Sequence, residues 1–212
     1  MRENVSSSES RFEAIEILEA LILALVAVAT AWSGYQAAEW AGKRAKQYAE
    51  ATQLRVTGEG LATVSGQERI YDSDTFNSWL AAKLNRQEEA AEFFERRFRD
   101  EYRPAFAAWM NTDPFKNAQA PPGPIFMPEY HNAKHEQFLS LNKQAAEIAD
   151  RGTKSGETGD NYVRITVLLA TVLLITAIGQ RFRFKTVRIV FMILACLLLC
   201  LPLLRLLTLP RI

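Results

Sequence analysis

Polar and apolar residues are segregated along this chain rather than interleaved. Three blocks are nearly free of charge: 17–38 with Glu19, 162–179 with Arg164, and 189–209 with Arg205 near its end. A helix needs about 20 apolar residues to cross a hydrocarbon layer about 30 Å thick. The first and third blocks meet that length and the second approaches it. Between the first two blocks the sequence is polar but still helical in pattern, and no proline precedes Pro104. The first helix is therefore expected from about Arg11 to well past the apolar block, with Gly58, Gly60 and Gly66 as points where it bends. Further helices are expected at 74–84 and 86–110, with Pro104 kinking the latter or starting a new one. Five prolines (Pro114, Pro121, Pro122, Pro124, Pro128) make 111–128 an extended loop, whose apolar content predicts that it packs down. A return helix is expected from Glu129 to Arg151. Gly152, Gly156 and Gly159 then form a hinge or a loosely helical lead into the second block. No strand pattern and no internal repeat occur.

The predicted fold class is an all-α membrane protein in which long helices continue across the membrane boundary. It consists of a cytoplasmic tail at 1–10, a first transmembrane helix at 11–38, an extracytoplasmic helical domain at 39–160, a second transmembrane helix at 161–179, a basic loop at 180–188 and a third transmembrane helix at 189–209. The orientation follows from the loop, where Arg181, Arg183, Lys185 and Arg188 meet no acid; basic residues crowd cytoplasmic loops. Lys43, Arg44 and Lys46 speak against it and are diluted by Glu39 and Glu50. Ala29-Thr30-Ala31 has the look of a leader cleavage site. The acidic run Glu3, Glu9, Glu13, Glu16 and Glu19 before it is the wrong charge for one.

Composition hides this organisation, since mean hydropathy is only −0.08 and 23% of residues are charged. Net charge is +1. The 39–160 segment holds 16 basic and 19 acidic residues, net −3. That mixture lacks the basic face of a nucleic-acid binder. Cys196 and Cys200 lie four apart in the third block and are read as small packing residues.

The first helix carries the feature most suggestive of function. Ala20, Ala24, Ala27, Ala31, Gly34, Ala38, Ala41 and Ala45 recur at spacings of four and three, a smooth stripe about 38 Å long at 1.5 Å per residue. Small residues let helix backbones approach closely, and such packing drives association in lipid. The stripe is expected to seat either another helix of this chain or a second copy. Thr30, Ser33, Gln36 and Glu39 run beside it. In an oligomer they would line a pore, with Glu16 and Glu19 at its inner mouth.

Other chemistry is sparse. The aromatic run Phe94, Phe98, Tyr102, Phe106 and Trp109 is expected to be domain core. Glu88, Glu89, Glu92 and Glu95 with Arg96 and Arg99 read as a solvated helix face. Asp160 and Arg164 are spaced to pair. His131 and His135 share one helical face and could hold a metal with Glu129 or Glu136 as a third ligand. No nucleotide-binding or hydrolase motif is present, so no enzyme and no cofactor is expected. The function classes are, in order, a non-enzymatic membrane-anchored scaffold (a homo-oligomer or accessory subunit), a homo-oligomeric ion channel lined by the first helix, and periplasmic metal binding at the His pair. The expected partners are the lipid bilayer and either itself or other membrane subunits, with no nucleic acid.

Several segments together resemble one family. These are residues 31–40 (AWSGYQAAEW), Arg97-Phe98-Arg99 through Phe106, Asp113-Pro114, the APPGPIFMPEY run at 120–130, and Asp160-Asn161-Tyr162-Val163. The combination resembles a functionally uncharacterised family of bacterial three-pass inner-membrane proteins. The resemblance implies the topology and a bacterial inner membrane, and it transfers no activity and no site residue.

Overall fold

The structure is a computed structural model that describes residues 3–182 and 184–212, with side chains from Glu16 onward except that of Lys185. Arg183 and the Lys185 side chain, two members of the basic loop, lie outside the described residues. Every regular element described is helical: α1 (Glu3–Leu84), α2 (Glu88–Glu95), α3 (Arg103–Met110), a 3-10 turn (Pro124–Phe126), α4 (Ala133–Gly179) and α5 (Lys185–Thr208). Three of them are long and apolar enough to cross a membrane, over Glu16–Leu84, Ala133–Gly179 and Thr186–Thr208. The chain divides into two compact units, Met1–Ala49 with Ile148–Ile212, and Glu50–Glu147. Helices α1 and α4 each contribute to both. The second unit is narrower than the 39–160 segment expected.

In the first unit, Ile22, Val26 and Ala29 of α1 meet Ile165, Leu169 and Val172 of α4 and Ala195 and Leu199 of α5. The outward faces are no less apolar: Leu21, Val28, Val167, Leu174, Leu197, Leu201 and Leu204 are all 60% exposed or more. Apolar exposure that continuous suits a lipid solvent, not water. Both cysteines are on this outward surface, so they are not the packing residues expected.

Two boundaries differ from expectation for local reasons. α1 begins at Glu3 instead of near Arg11 and passes Gly58, Gly60 and Gly66 unbroken. α4 begins at Ala133, not Glu129, because Asn132 caps it: the His135 N–H donates to Asn132 Oδ1 at 2.9 Å. The larger correction concerns the 152–159 glycines. Of the two readings the hinge fails and the helical lead holds: α4 is one helix of 47 residues through all of them. Each is a seat for a large side chain of α1. A Cβ at Gly152 would stand 3.2 Å from the Tyr48 ring, one at Gly156 2.7 Å from Arg44, and one at Gly159 3.3 Å from Trp40 Cβ and 3.6 Å from the Ala37 carbonyl. Small residues on α4, not on α1, let these two helices close.

In the second unit the aromatic run is core, as expected. Phe98, Tyr102, Phe106 and Trp109 are buried with Phe76 and Trp79, and Phe94 packs against them. The run is not one helix, however. It breaks between α2 and α3, and Pro104 sits in the first turn of α3, where a missing N–H is harmless. Trp79 stands edge-on to Phe106 at 4.8 Å and Phe76 edge-on to Trp109 at 5.0 Å, the geometry that ring quadrupoles favour. The Pro-rich loop does pack down: Trp109 Nε1 donates to the Pro121 carbonyl at 2.7 Å, Pro124 is buried, and Ile125 and Met127 join the core.

The two kinds of glycine make a paired test. Gly60 is helical with nothing within 4 Å of an added Cβ, so Gly60→Ala should raise the stability of the full chain by about 0.5–1 kcal/mol. Gly159→Leu should lower it, because the branch meets Trp40 and backbone. Thermal melting in detergent reads both signs.

Candidate functional site

The first unit sorts the residues of α1 into two faces. Glu19, Ile22, Val26, Ala29, Ser33, Gln36 and Trp40 are buried, at spacings alternating three and four. The small-residue stripe is the neighbouring face. Ala20, Ala24, Ala27, Ala31, Ala38, Ala41 and Ala45 are exposed and Gly34 is half-buried, with nothing within 4 Å of a Cβ placed on it. Among the described residues no helix covers the stripe, so of the two occupants expected for it the intramolecular one is not seen, and the seam within the chain runs through a different set of residues.

Polar groups hold that seam at both ends. At one end Arg188 forks onto Glu19, Nε to Oε1 at 2.7 Å and Nη2 to Oε2 at 2.5 Å, and its Nη1 lies 3.5 Å from Glu16. Glu19 is 3% exposed, so it does not reach for water at a helix end. Two-point guanidinium–carboxylate pairing fixes orientation as well as supplying charge neutrality. At the other end Ser33 donates to the Tyr162 carbonyl at 2.9 Å. The Gln36 amide brackets Ile212, donating to its carbonyl at 3.2 Å and accepting from its N–H at 3.1 Å. Trp40 Nε1 and the Tyr162 hydroxyl both donate to the Pro210 carbonyl, at 3.3 and 3.1 Å.

These contacts correct the pore-lining strip. Glu19, Ser33 and Gln36 are buried and engaged within the chain, and Thr30 bonds back to the Val26 carbonyl of its own helix at 2.7 Å. Glu39 is exposed. The strip therefore presents no continuous polar surface to a lumen. Arg188, counted with the basic loop, is a bundle residue tied to Glu19. Arg181 is exposed.

The second unit holds a buried charge cluster. Asp72 is 1% exposed and receives Arg99 two-fold, Nε to Oδ1 at 3.0 Å and Nη2 to Oδ2 at 2.9 Å, with the Tyr130 hydroxyl donating to Oδ2 at 3.0 Å. Arg99 Nη1 also reaches Glu68 at 3.2 Å, and Glu68 accepts from Asn132 at 2.9 Å and from Lys134. Burial raises the Glu68 carboxyl, but the hydrogen bonds from Lys134 and Asn132 and the Arg99 and Lys134 charges outweigh it and hold it below its ordinary 4.5. Burial first, then the Asp72 charge, pushes the Tyr130 phenol up to about 12 and the Tyr102 phenol up as well. The Tyr102 hydroxyl is buried with no hydrogen-bond partner among the described residues. Every charge here has an opposite partner, which leaves no free base or nucleophile. The cluster binds α1, the 96–102 turn and the start of α4 into one body. Arg99 is accordingly no part of the solvated face expected for it.

Beside this cluster lies a pocket of about 410 Å³ that includes His131, His135 and Arg69. His131 Nδ1 is 3.3 Å from Glu136, both largely exposed, while the His135 ring packs against Phe138. The two rings do not converge on a third ligand, and no group of three His, Cys, Asp or Glu among the described residues could hold a metal. Both histidines are exposed side chains.

Sequence reasoning missed three features: the Glu19–Arg188 pair, the Asp72–Arg99 cluster and the bracket on Ile212. The first two had a visible signal. Asp72 falls in the buried register Ser65, Asp72, Thr75, Phe76, Trp79, and Glu19 in that of Ile22 and Val26. A carboxylate in an apolar phase demands a partner. No family model, no curated protein and no solved structure matches this chain.

The depressed Glu68 carboxyl has a pH consequence. Its contribution to stability is complete above the unfolded value near 4.5 and is lost as pH falls through the lower folded value. Melting followed by tryptophan fluorescence should drop as pH goes below about 4.5. Glu68→Gln should start lower at neutral pH and fall less steeply.

Proposed function

We propose that this chain is a non-enzymatic, membrane-anchored scaffold that acts by association, with the outward small-residue face of α1 as the surface that seats its partner. The observation that carries this is the division of α1 into two faces. The face at Glu19, Ile22, Val26, Ala29, Ser33, Gln36 and Trp40 is consumed inside the chain. The face at Ala20, Ala24, Ala27, Ala31, Gly34, Ala38, Ala41 and Ala45 is left open. Covering it with lipid alone would forgo the close backbone packing that such a surface permits. Its continuation through Ala41 and Ala45, beyond the apolar block, favours a helix as the occupant. A second copy of α1 matches it in length and shape, so self-association is the first reading and service as an accessory subunit the form it takes with a different partner helix.

In this reading α1, α4 and α5 cross a bacterial inner membrane, with the N-terminus cytoplasmic and the 39–160 segment periplasmic. Support for the orientation comes from the 180–188 loop, which has four basic residues and no acid. Support for the membrane itself comes from the exposed leucines, isoleucines and valines of all three helices. The resemblance to three-pass inner-membrane proteins agrees with both.

Light scattering of the full chain in mild detergent should give a multiple of the 23.9 kDa chain mass. Ala27→Leu combined with Gly34→Leu should reduce it to a single copy while the melting temperature is kept. A monomeric natural chain, or a variant whose mass is unchanged, would sink the self-association reading.

A further inference from the structure

The two ends of the apolar bundle treat their arginines differently. At one end Arg188 has its carboxylates inside the chain, Glu19 and Glu16. At the other end Arg164 of α4 and Arg205 of α5 line one pocket of about 290 Å³. Among the described residues no acid or carbonyl pairs with either guanidinium. Asp160, one turn before Arg164 and spaced to bond with it, makes no ion pair among the described residues, contrary to expectation. The rest of the lining is mostly apolar, with Ile165, Leu168, Leu201 and Leu209, and Asn161 adds an amide.

Depth decides what can fill it. Seventeen residues separate Arg188 from Arg205, a rise of about 25 Å against a hydrocarbon thickness of about 30 Å. With Arg188 at one boundary, Arg205 lies at or just inside the other. Arg164 is beside it in the same pocket. An independent marker agrees: Ser33 bonds the Tyr162 carbonyl at this level, and next to Ser33 the exposed Trp32 and Tyr35 form a ring pair 5.9 Å apart. Exposed aromatic rings collect at the membrane–water interface. Two exposed, unpaired cations at headgroup depth beside apolar side chains match an anion that carries its own acyl chains.

We infer that the Arg164–Arg205 pocket is a binding site for the phosphate of an anionic phospholipid headgroup, whose acyl chain lies along Ile165, Leu168 and Leu201. Guanidinium forks match phosphate oxygens at two points each, and the apolar lining distinguishes a lipid from free phosphate. The site is independent of which leaflet holds this end of the bundle, and independent of the small-residue face of α1.

Native mass spectrometry of the full chain, released from an equimolar mixture of phosphatidylglycerol and phosphatidylcholine, reads the site directly. Phosphatidylglycerol should be retained in preference, by about fivefold for each arginine. Arg164→Gln with Arg205→Gln should abolish the preference, whereas Arg181→Gln, at the opposite end, should leave it intact. Millimolar inorganic phosphate should not displace the bound lipid. Equal retention of the two lipids by the natural chain overturns the site without recourse to any variant. Complete displacement by inorganic phosphate also overturns it, in favour of a simple anion site. A preference that survives the double substitution places the lipid elsewhere.

Discussion

A polar group inside an apolar bundle must find its partner within that bundle, and this requirement sets the rotation of α1. Glu19, Ser33 and Gln36 are each 3% exposed or less, so water does not reach them at either end of the bundle, and a buried polar group left unpaired is strongly unfavourable. Glu19 therefore turns to Arg188, Ser33 to the Tyr162 carbonyl and Gln36 to the backbone of Ile212. These three residues lie on one face of one helix, and that face is consequently the one that points inward. The stripe of alanines beside it is left outward as a by-product of satisfying them.

The same requirement reverses the roles of α1 and α4. Where the polar face of α1 turns inward, its large residues Trp40, Arg44 and Tyr48 come with it and need room. Gly159, Gly156 and Gly152 on α4 supply that room at intervals of one helical turn or just under. Backbone continuity through these glycines follows from packing. A glycine in a helix interior is unfavourable by about 1 kcal/mol against alanine, and the gain from seating a tryptophan, an arginine and a tyrosine offsets it. In the second unit the logic repeats with charge: Asp72 is buried beside Tyr102 and Tyr130, and Arg99 and Tyr130 are drawn in to satisfy it.

How far the sequence could be read depended on whether a signal was local or relational. The three apolar blocks, the break at Pro104, the aromatic core and the packed-down proline loop were all legible, because each rests on the properties of a short run. The glycines at 152–159 left a hinge and a helical lead both open, since a glycine that lets a neighbour approach and one that lets the chain bend look alike until the neighbour is known. Asn132 as the cap of α4 was obscured by Pro128, a stronger stop signal four residues earlier. Gln36 and Ser33 were read as facing a lumen because polarity in a helix says that a partner is needed and not where it is. The Ile212 backbone that answers Gln36 is 176 residues away, beyond any periodicity argument. The alanine stripe was legible as a surface, but only the burial of the adjacent face showed that the described helices pack on that face and leave the stripe exposed.

The Glu19–Arg188 pair orients α1, and a charge reversal tests this most directly. Glu19→Arg and Arg188→Glu should each sharply reduce the yield of folded full-length chain from membranes. The double reversal should recover most of it, because the fork is rebuilt with its ends exchanged. Single reversals that fold as well as the natural chain, or a double reversal no better than either single one, would contradict it.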